Sequence, residues 1–95
     1  MPISYRAAQT LIKRNDLPGL TAALDTGLDP NAANQNGWSL LMLAAVEGNL
    51  AIGQLLIERG ADLAAMNLKG ETPLTIATQK GHAAFADLLE KSQPD

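Results

Sequence analysis

Apolar residues recur along this chain in short stripes at helical spacing, and each stripe is cut off by a glycine or an asparagine. The spacing predicts a first helix from about Tyr5 to Lys13, ended by Asn15, a residue that tolerates the left-handed conformation better than most. A second starts around Asp16-Leu17-Pro18, packs through Leu17, Leu20, Ala23 and Leu24, and ends at Gly27. After Gly37-Trp38-Ser39, a stripe of Leu40, Leu41, Leu43, Ala44 and Ala45 runs to Gly48, and another of Leu50, Ile52, Leu55, Leu56 and Ile57 runs to Gly60. Thr72-Pro73 opens the next helix, a hydroxyl to cap free amides and then a ring preset to helical dihedrals. Its inward side is Ile76 and Ala77, its terminator is Gly81, and Phe85, Leu88 and Leu89 line the last helix. Between Ala61 and Gly70 the helical period is lost and Asp, Asn and Gly take over, which predicts an extended loop with a tight turn.

These stripes repeat with a period of 33 residues. An offset of that length places Leu17 on Leu50, Gly27 on Gly60, Asp29 on Asp62, Asn34 on Asn67, Gly37 on Gly70 and Leu41 on Leu74, and no insertion is needed. Ala44 likewise meets Ala77, Gly48 meets Gly81, and Leu55-Leu56 meets Leu88-Leu89. A fixed period of this size is the mark of stacked units, each unable to bury its apolar face alone. The divisions are 1–33, 34–66 and 67–95, read as one domain of three repeats. Polar residues at both outer faces fit terminal repeats: Arg6, Gln9 and Lys13 in the first, and Thr78 and Glu90 in the last. The expectation is a complete array with its own caps, ending in a short frayed tail of Ser92-Gln93-Pro94-Asp95.

Composition narrows the picture further. With one Phe, one Trp and one Tyr in 95 residues, the core must be built from Leu, Ile and Ala. A formal charge of -3 without a block of like charges argues against attraction to nucleic acid or to an anionic membrane surface. No run approaches the length of a membrane span, and Met1-Pro2-Ile3-Ser4-Tyr5-Arg6 lacks the features of a secretory signal, so a cytoplasmic location is expected. The absence of cysteine excludes disulfides and thiolate metal sites. Three repeats, an interior glycine at Gly53 and irregular repeat positions predict modest stability, below the hyperstable class whose midpoints exceed about 90 °C.

Three sequence blocks together resemble the ankyrin repeat: Gly70-Glu71-Thr72-Pro73-Leu74, Gly81-His82, and Leu55-Leu56-Ile57-Glu58-Arg59-Gly60-Ala61-Asp62. The resemblance covers nearly the whole chain and implies an all-α fold, an ankyrin repeat solenoid of three helix-turn-helix repeats joined by hairpin-like loops. A tetratricopeptide array, with a period of 34, lacks the Gly-Ala-Asp exit loop. The chain departs from the family where His usually follows Thr-Pro-Leu: Thr75 stands there in one unit and Met42 in the other, and unit two reads Ser39-Leu40-Leu41. These departures are expected to weaken the family's buried hydrogen-bond pattern.

Candidate chemistry is sparse. Neither a nucleophile with a base nor a metal cluster nor a phosphate loop occurs, so the reading is no enzyme and no cofactor. His82 matches the family histidine that braces the turn into the second helix, Asp29 and Asp62 read as periodic turn residues, and Gly53 as a point where a neighbouring helix comes close. The resemblance further implies a concave surface of loop tips and first helices that holds another protein. Carried over by position, that surface takes Ile3, Tyr5, Lys13 and Arg14 from unit one. Gln35, Asn36, Trp38, Val46 and Glu47 come from unit two, and Met66, Leu68, Lys69, Glu71, Gln79 and Lys80 from unit three. Tyr5 and Trp38, one period apart, are expected to stand exposed side by side as an interface hot spot, with Lys69 and Glu71 as a polar rim. The function expected is a non-catalytic protein-interaction module, monomeric by itself. The alternatives are a small inhibitor or immunity-type protein that occludes one enzyme or toxin, and a self-associating assembly domain.

Overall fold

The computed structural model describes residues 3–93, and Pro94 and Asp95 of the expected tail lie outside them. Five of the helix starts are set by one local device. Ser4, Asp16, Ser39, Asn49 and Thr72 each accept, through a side-chain oxygen, the backbone N–H three residues on, at 2.9–3.2 Å. Each such cap satisfies an otherwise orphaned amide and is worth about 1 kcal/mol. The helices that follow are α1 (Tyr5–Lys13), α2 (Leu17–Asp25), α3 (Leu40–Glu47), α4 (Leu50–Glu58), α5 (Pro73–Gln79) and α6 (Ala83–Lys91). Among the described residues there is no strand, only an isolated antiparallel bridge between Ala33 and Ser39. Asn15 and the expected glycine terminators Gly27, Gly48, Gly60 and Gly81 all take positive φ.

The helices form two layers. α1, α3 and α5 pack in sequence order, α2, α4 and α6 do the same behind them, and each odd helix pairs with the even one that follows. Between the layers lie Ile12, Leu20, Leu41, Ile52, Leu56, Ile76 and Leu89, all buried, together with Phe85. The aliphatic core expected from composition is therefore present.

Contacts between repeats explain several single residues. Gly53, inside α4, lies against the Phe85 ring, and a methyl group built on it would stand 2.6 Å from Cε2. That is the close approach expected of it. His82 corrects an expectation: it caps no amide of α6, and its Nε2 lies 3.0 Å from the Val46 carbonyl oxygen in the preceding repeat. Its ring covers Gly48, whose φ of 71° already favours glycine and whose missing side chain leaves the imidazole its room. The brace is thus between repeats rather than within a turn. One period earlier the residue is Asn49, which caps its own helix. An open depression lined by Lys13, Asn15 and Asn49 marks the corresponding place.

Asp29 and Asp62 act as turn residues, accepting the N–H of Asn31 at 2.8 Å and of Ala64 at 2.9 Å. Asn31 ties two exit loops together, donating from Nδ2 to the Gly60 carbonyl at 3.1 Å and accepting the Asp62 N–H at 2.7 Å. Asp25 and Arg59 form an ion pair at 2.8 Å across the same seam.

Three details differ from expectation. Leu50 heads α4 at the mouth of that depression and is 44% exposed, so the apolar stripe starts effectively at Ile52. Met42 fills the core completely, and Thr75 bonds the Thr72 hydroxyl at 3.0 Å, so the family's departures cost the cap amides nothing. Ser92 caps the end of α6 and donates from Oγ to the Leu88 carbonyl at 2.7 Å, so the expected tail starts on the helix.

Candidate functional site

Two loop tips stand side by side. In each, an asparagine organises the turn through its side chain. Asn34 Oδ1 accepts the N–H groups of Asn36 and Trp38, both at 3.0 Å. Asn67 Oδ1 accepts those of Lys69 at 2.9 Å and Glu71 at 3.0 Å, and its Nδ2 donates to Glu71 Oε1 at 2.9 Å. Backbone bonds from Asn34 to Trp38 and from Asn67 to Glu71 close the two hairpins. Asn67 is buried, so all of its polar atoms must find partners there, and they do.

The tips are also joined to each other. The Leu68 N–H donates to the Asn36 carbonyl at 2.9 Å. Gly37, at φ 82°, lets this happen, because a Cβ there would lie 2.9 Å from the Asn67 Cα. Between them is a depression of about 310 Å³ lined by Asn36, Trp38, Asn67, Leu68 and Lys69. Leu68 is 78% exposed and Met66 63%, the two most exposed large apolar side chains described. An apolar floor with asparagine amides and a lysine at its edge suits a partner's apolar side chain flanked by polar or charged groups.

The structure thus brings together Asn36, Trp38, Leu68 and Lys69 of the expected surface, with Gln35 exposed on the Asn34 tip. Glu71 is half-buried and turned onto Asn67, so its carboxylate is engaged in holding the tip. Lys13, Arg14, Glu47, Gln79 and Lys80 are exposed at the opposite ends of α1, α3 and α5, away from the depression. Val46 is half-buried beside them, its carbonyl taken by His82.

The aromatic pair requires correction. Tyr5 and Trp38 are both half-buried and packed on the core rather than exposed. Although one period apart, they sit in different local structures: Ser4 caps α1 two residues ahead of the position matching Ser39, so Tyr5 is helical while Trp38 lies in the loop. The Tyr5 hydroxyl is buried without a hydrogen-bond partner among the described residues, and burial raises its pKa above the usual 10.0. Ile3 is half-buried against the same core. Asn34 and Asn67 were the residues missed, although their exact recurrence at one period was visible.

Among the described residues no group of three or more His, Asp or Glu is placed to hold a metal ion. No helix among them is long and apolar enough to cross a membrane.

Stacked helical hairpins with paired turn tips and exit loops that begin Gly27-Leu28-Asp29 and Gly60-Ala61-Asp62 define a repeat protein whose exposed tips carry its most exposed large apolar side chains. The family model described as ankyrin repeats (3 copies) matches residues 5–95, and the chain belongs to that family. Ankyrin repeats are in general non-catalytic, protein-interaction modules. Among similar proteins, ankyrin repeat and SAM domain-containing protein 6 of Danio rerio is 47% identical over 78 residues, which is 81% of this chain and 11% of that protein. Potassium channel AKT1 of Oryza sativa subsp. indica is 37% identical over 71 residues, 75% of this chain and 8% of the channel. The human NAD-capped RNA hydrolase NUDT12 is 41% identical over 59 residues, 62% of this chain and 13% of that protein. This chain therefore spans only a small part of the length of these relatives.

Proposed function

We propose that this chain binds another protein by seating one of its apolar side chains between Trp38 and Leu68, in the depression across the two loop tips. The observation that carries this is the exposure of Leu68 and Met66 on a turn that the buried Asn67 side chain holds through three hydrogen bonds, with a further bond from Leu68 to Asn36 across the tips. Leaving large apolar groups in water is unfavourable, and a prearranged surface loses little conformational freedom on binding. Gln35 and Lys69 form the polar margin of this site. Tyr5 and Glu71 are supports for it rather than contacts. The residues at the far ends of the first helices, Lys13, Arg14, Glu47, Gln79 and Lys80, form an outlying part of the same surface. The reading takes the cytosol as the setting, which cell fractionation tests.

A pull-down from native lysate, with mass spectrometric identification, compares wild type with a folded Leu68→Asp, Met66→Ser variant. Both side chains are exposed, so the fold is expected to persist. A protein retained by wild type and lost by the variant supports the tip site. Identical capture by both forms refutes it.

A further inference from the structure

We propose that the segment this module binds is acidic: an extended stretch bearing Asp or Glu within a few residues of the apolar side chain that enters the tip depression. This rests on the interaction reading above and adds the partner's charge.

The chain's charges are sorted by layer. Of its seven Lys and Arg residues, Arg6, Lys13, Arg14, Lys69 and Lys80 lie on or beside α1 and α5, all exposed. Among the described residues the only acids in that layer are Glu47 and Glu71, and Glu71 is bonded to Asn67. The second layer is the reverse. Asp16, Asp25, Glu58, Asp87 and Glu90 lie on or beside α2, α4 and α6, and Asp29 and Asp62 lie in the exit loops. Its two cations are both neutralised, Arg59 by Asp25 at 2.8 Å and Lys91 by Asp87 at 3.0 Å. A chain with a formal charge of -3 therefore keeps its five other cations on or beside the first-helix layer, and among the described residues no ion pair within 4.0 Å involves any of them.

The geometry gives this charge a direction. Lys69 lies at the edge of the depression and Lys80 directly follows α5. The seven residues of α5 rise about 10 Å, the reach of three or four residues of an extended chain. A partner chain that runs from an anchor beside Leu68 along α5 approaches Lys80, with Arg14 two repeats away. Exposed charges farther apart than the Debye length, about 8 Å at physiological ionic strength, are largely screened, so a ligand on this face senses the near cations more than the acids behind. Complementary charge at a rim fixes register and speeds encounter more than it adds affinity.

The test is selection from a random dodecapeptide phage library against the whole chain, with the selected peptides then synthesised. Selected sequences are expected to be enriched in Asp and Glu close to Leu, Ile or Phe. Their affinity should fall about tenfold between low and high salt, and comparably in a Lys69→Glu, Lys80→Glu variant whose circular dichroism matches wild type. Binders that are neutral or basic, yet are lost on Leu68→Asp, overturn the acidic partner and leave the tip site standing. Binders indifferent to Leu68→Asp, or no binders, overturn both. Tighter binding of a dT oligonucleotide than of the acidic peptides at equal salt also overturns the inference, since the cations would then serve phosphate.

Discussion

The ring of Phe85 rests directly on the bare Cα of Gly53, so that the two residues form one contact between the second and third repeats. An alanine in the interior of a helix is normally better than glycine by about 1 kcal/mol. Here its methyl would meet Cε2 at 2.6 Å and Cζ at 2.8 Å, so the fully buried Phe85 ring would have to shift. Gly53→Ala is therefore expected to destabilise by about 1–3 kcal/mol, measured by urea denaturation. Gly53→Ala combined with Phe85→Leu should cost less than the two separate losses added together. Additive losses would show that the ring and the glycine are not coupled.

Asn67 holds its tip through three side-chain hydrogen bonds while buried, whereas Asn34 makes two in an exposed setting. Asn67→Ala is expected to cost about 1–3 kcal/mol and Asn34→Ala less, because amides left unpaired in the exposed tip can turn to water. Hydrogen exchange at the Lys69 and Glu71 amides should quicken in the first variant. Unchanged exchange there would mean that backbone bonds alone shape the tip.

Tyr5 is the only tyrosine, so its ionisation can be followed alone by absorbance near 295 nm. Burial disfavours the phenolate, and the native midpoint is expected above 10.0, returning to the ordinary value in denaturant. The sign for stability follows: with the folded pKa raised, the neutral phenol's contribution is intact below pH 10 and lost as pH rises through the folded pKa. A native midpoint at or below 10.0 would contradict the buried hydroxyl.

His82 joins two repeats by one hydrogen bond to the Val46 carbonyl and by covering Gly48. His82→Ala should lower stability by about 1–2 kcal/mol in chemical denaturation. Substitution of Asn49, which occupies the same place one period earlier, should act differently. Asn49→Ala loses a helix cap worth about 1 kcal/mol and no side-chain hydrogen bond between the described repeats. A loss at His82 no larger than that of an ordinary surface residue would refute the brace.

The helices were legible because their signals are local. Thr72-Pro73, Ser39 and the glycine after each stripe act within one turn, and the apolar spacing carries its own periodicity. Gly53 was legible for the opposite reason, since a glycine where helix propensity forbids one needs a neighbour to justify it. The ties between repeats were not. Asn31 has Ala64 one period later and His82 has Asn49 one period earlier, so the 33-residue comparison that exposed the fold treats both as noise. The tip surface was half legible. Met66 and Leu68 lie in a segment without helical period, where large apolar residues stand out. The half-burial of Tyr5 and Trp38 depends on a two-residue shift of the first cap, to Ser4, that the numerical match of positions 5 and 38 conceals.

The two seams between repeats are fastened by different materials. Asn31 and the Asp25–Arg59 pair tie the first at the exposed edge, whereas Phe85 on Gly53 and His82 on Val46 secure the second from within. In a linear array each unit unfolds according to its own stability and its bond to the next. Salt should consequently loosen the first seam more than the second, since an exposed ion pair is screened and a ring packed on a glycine is not.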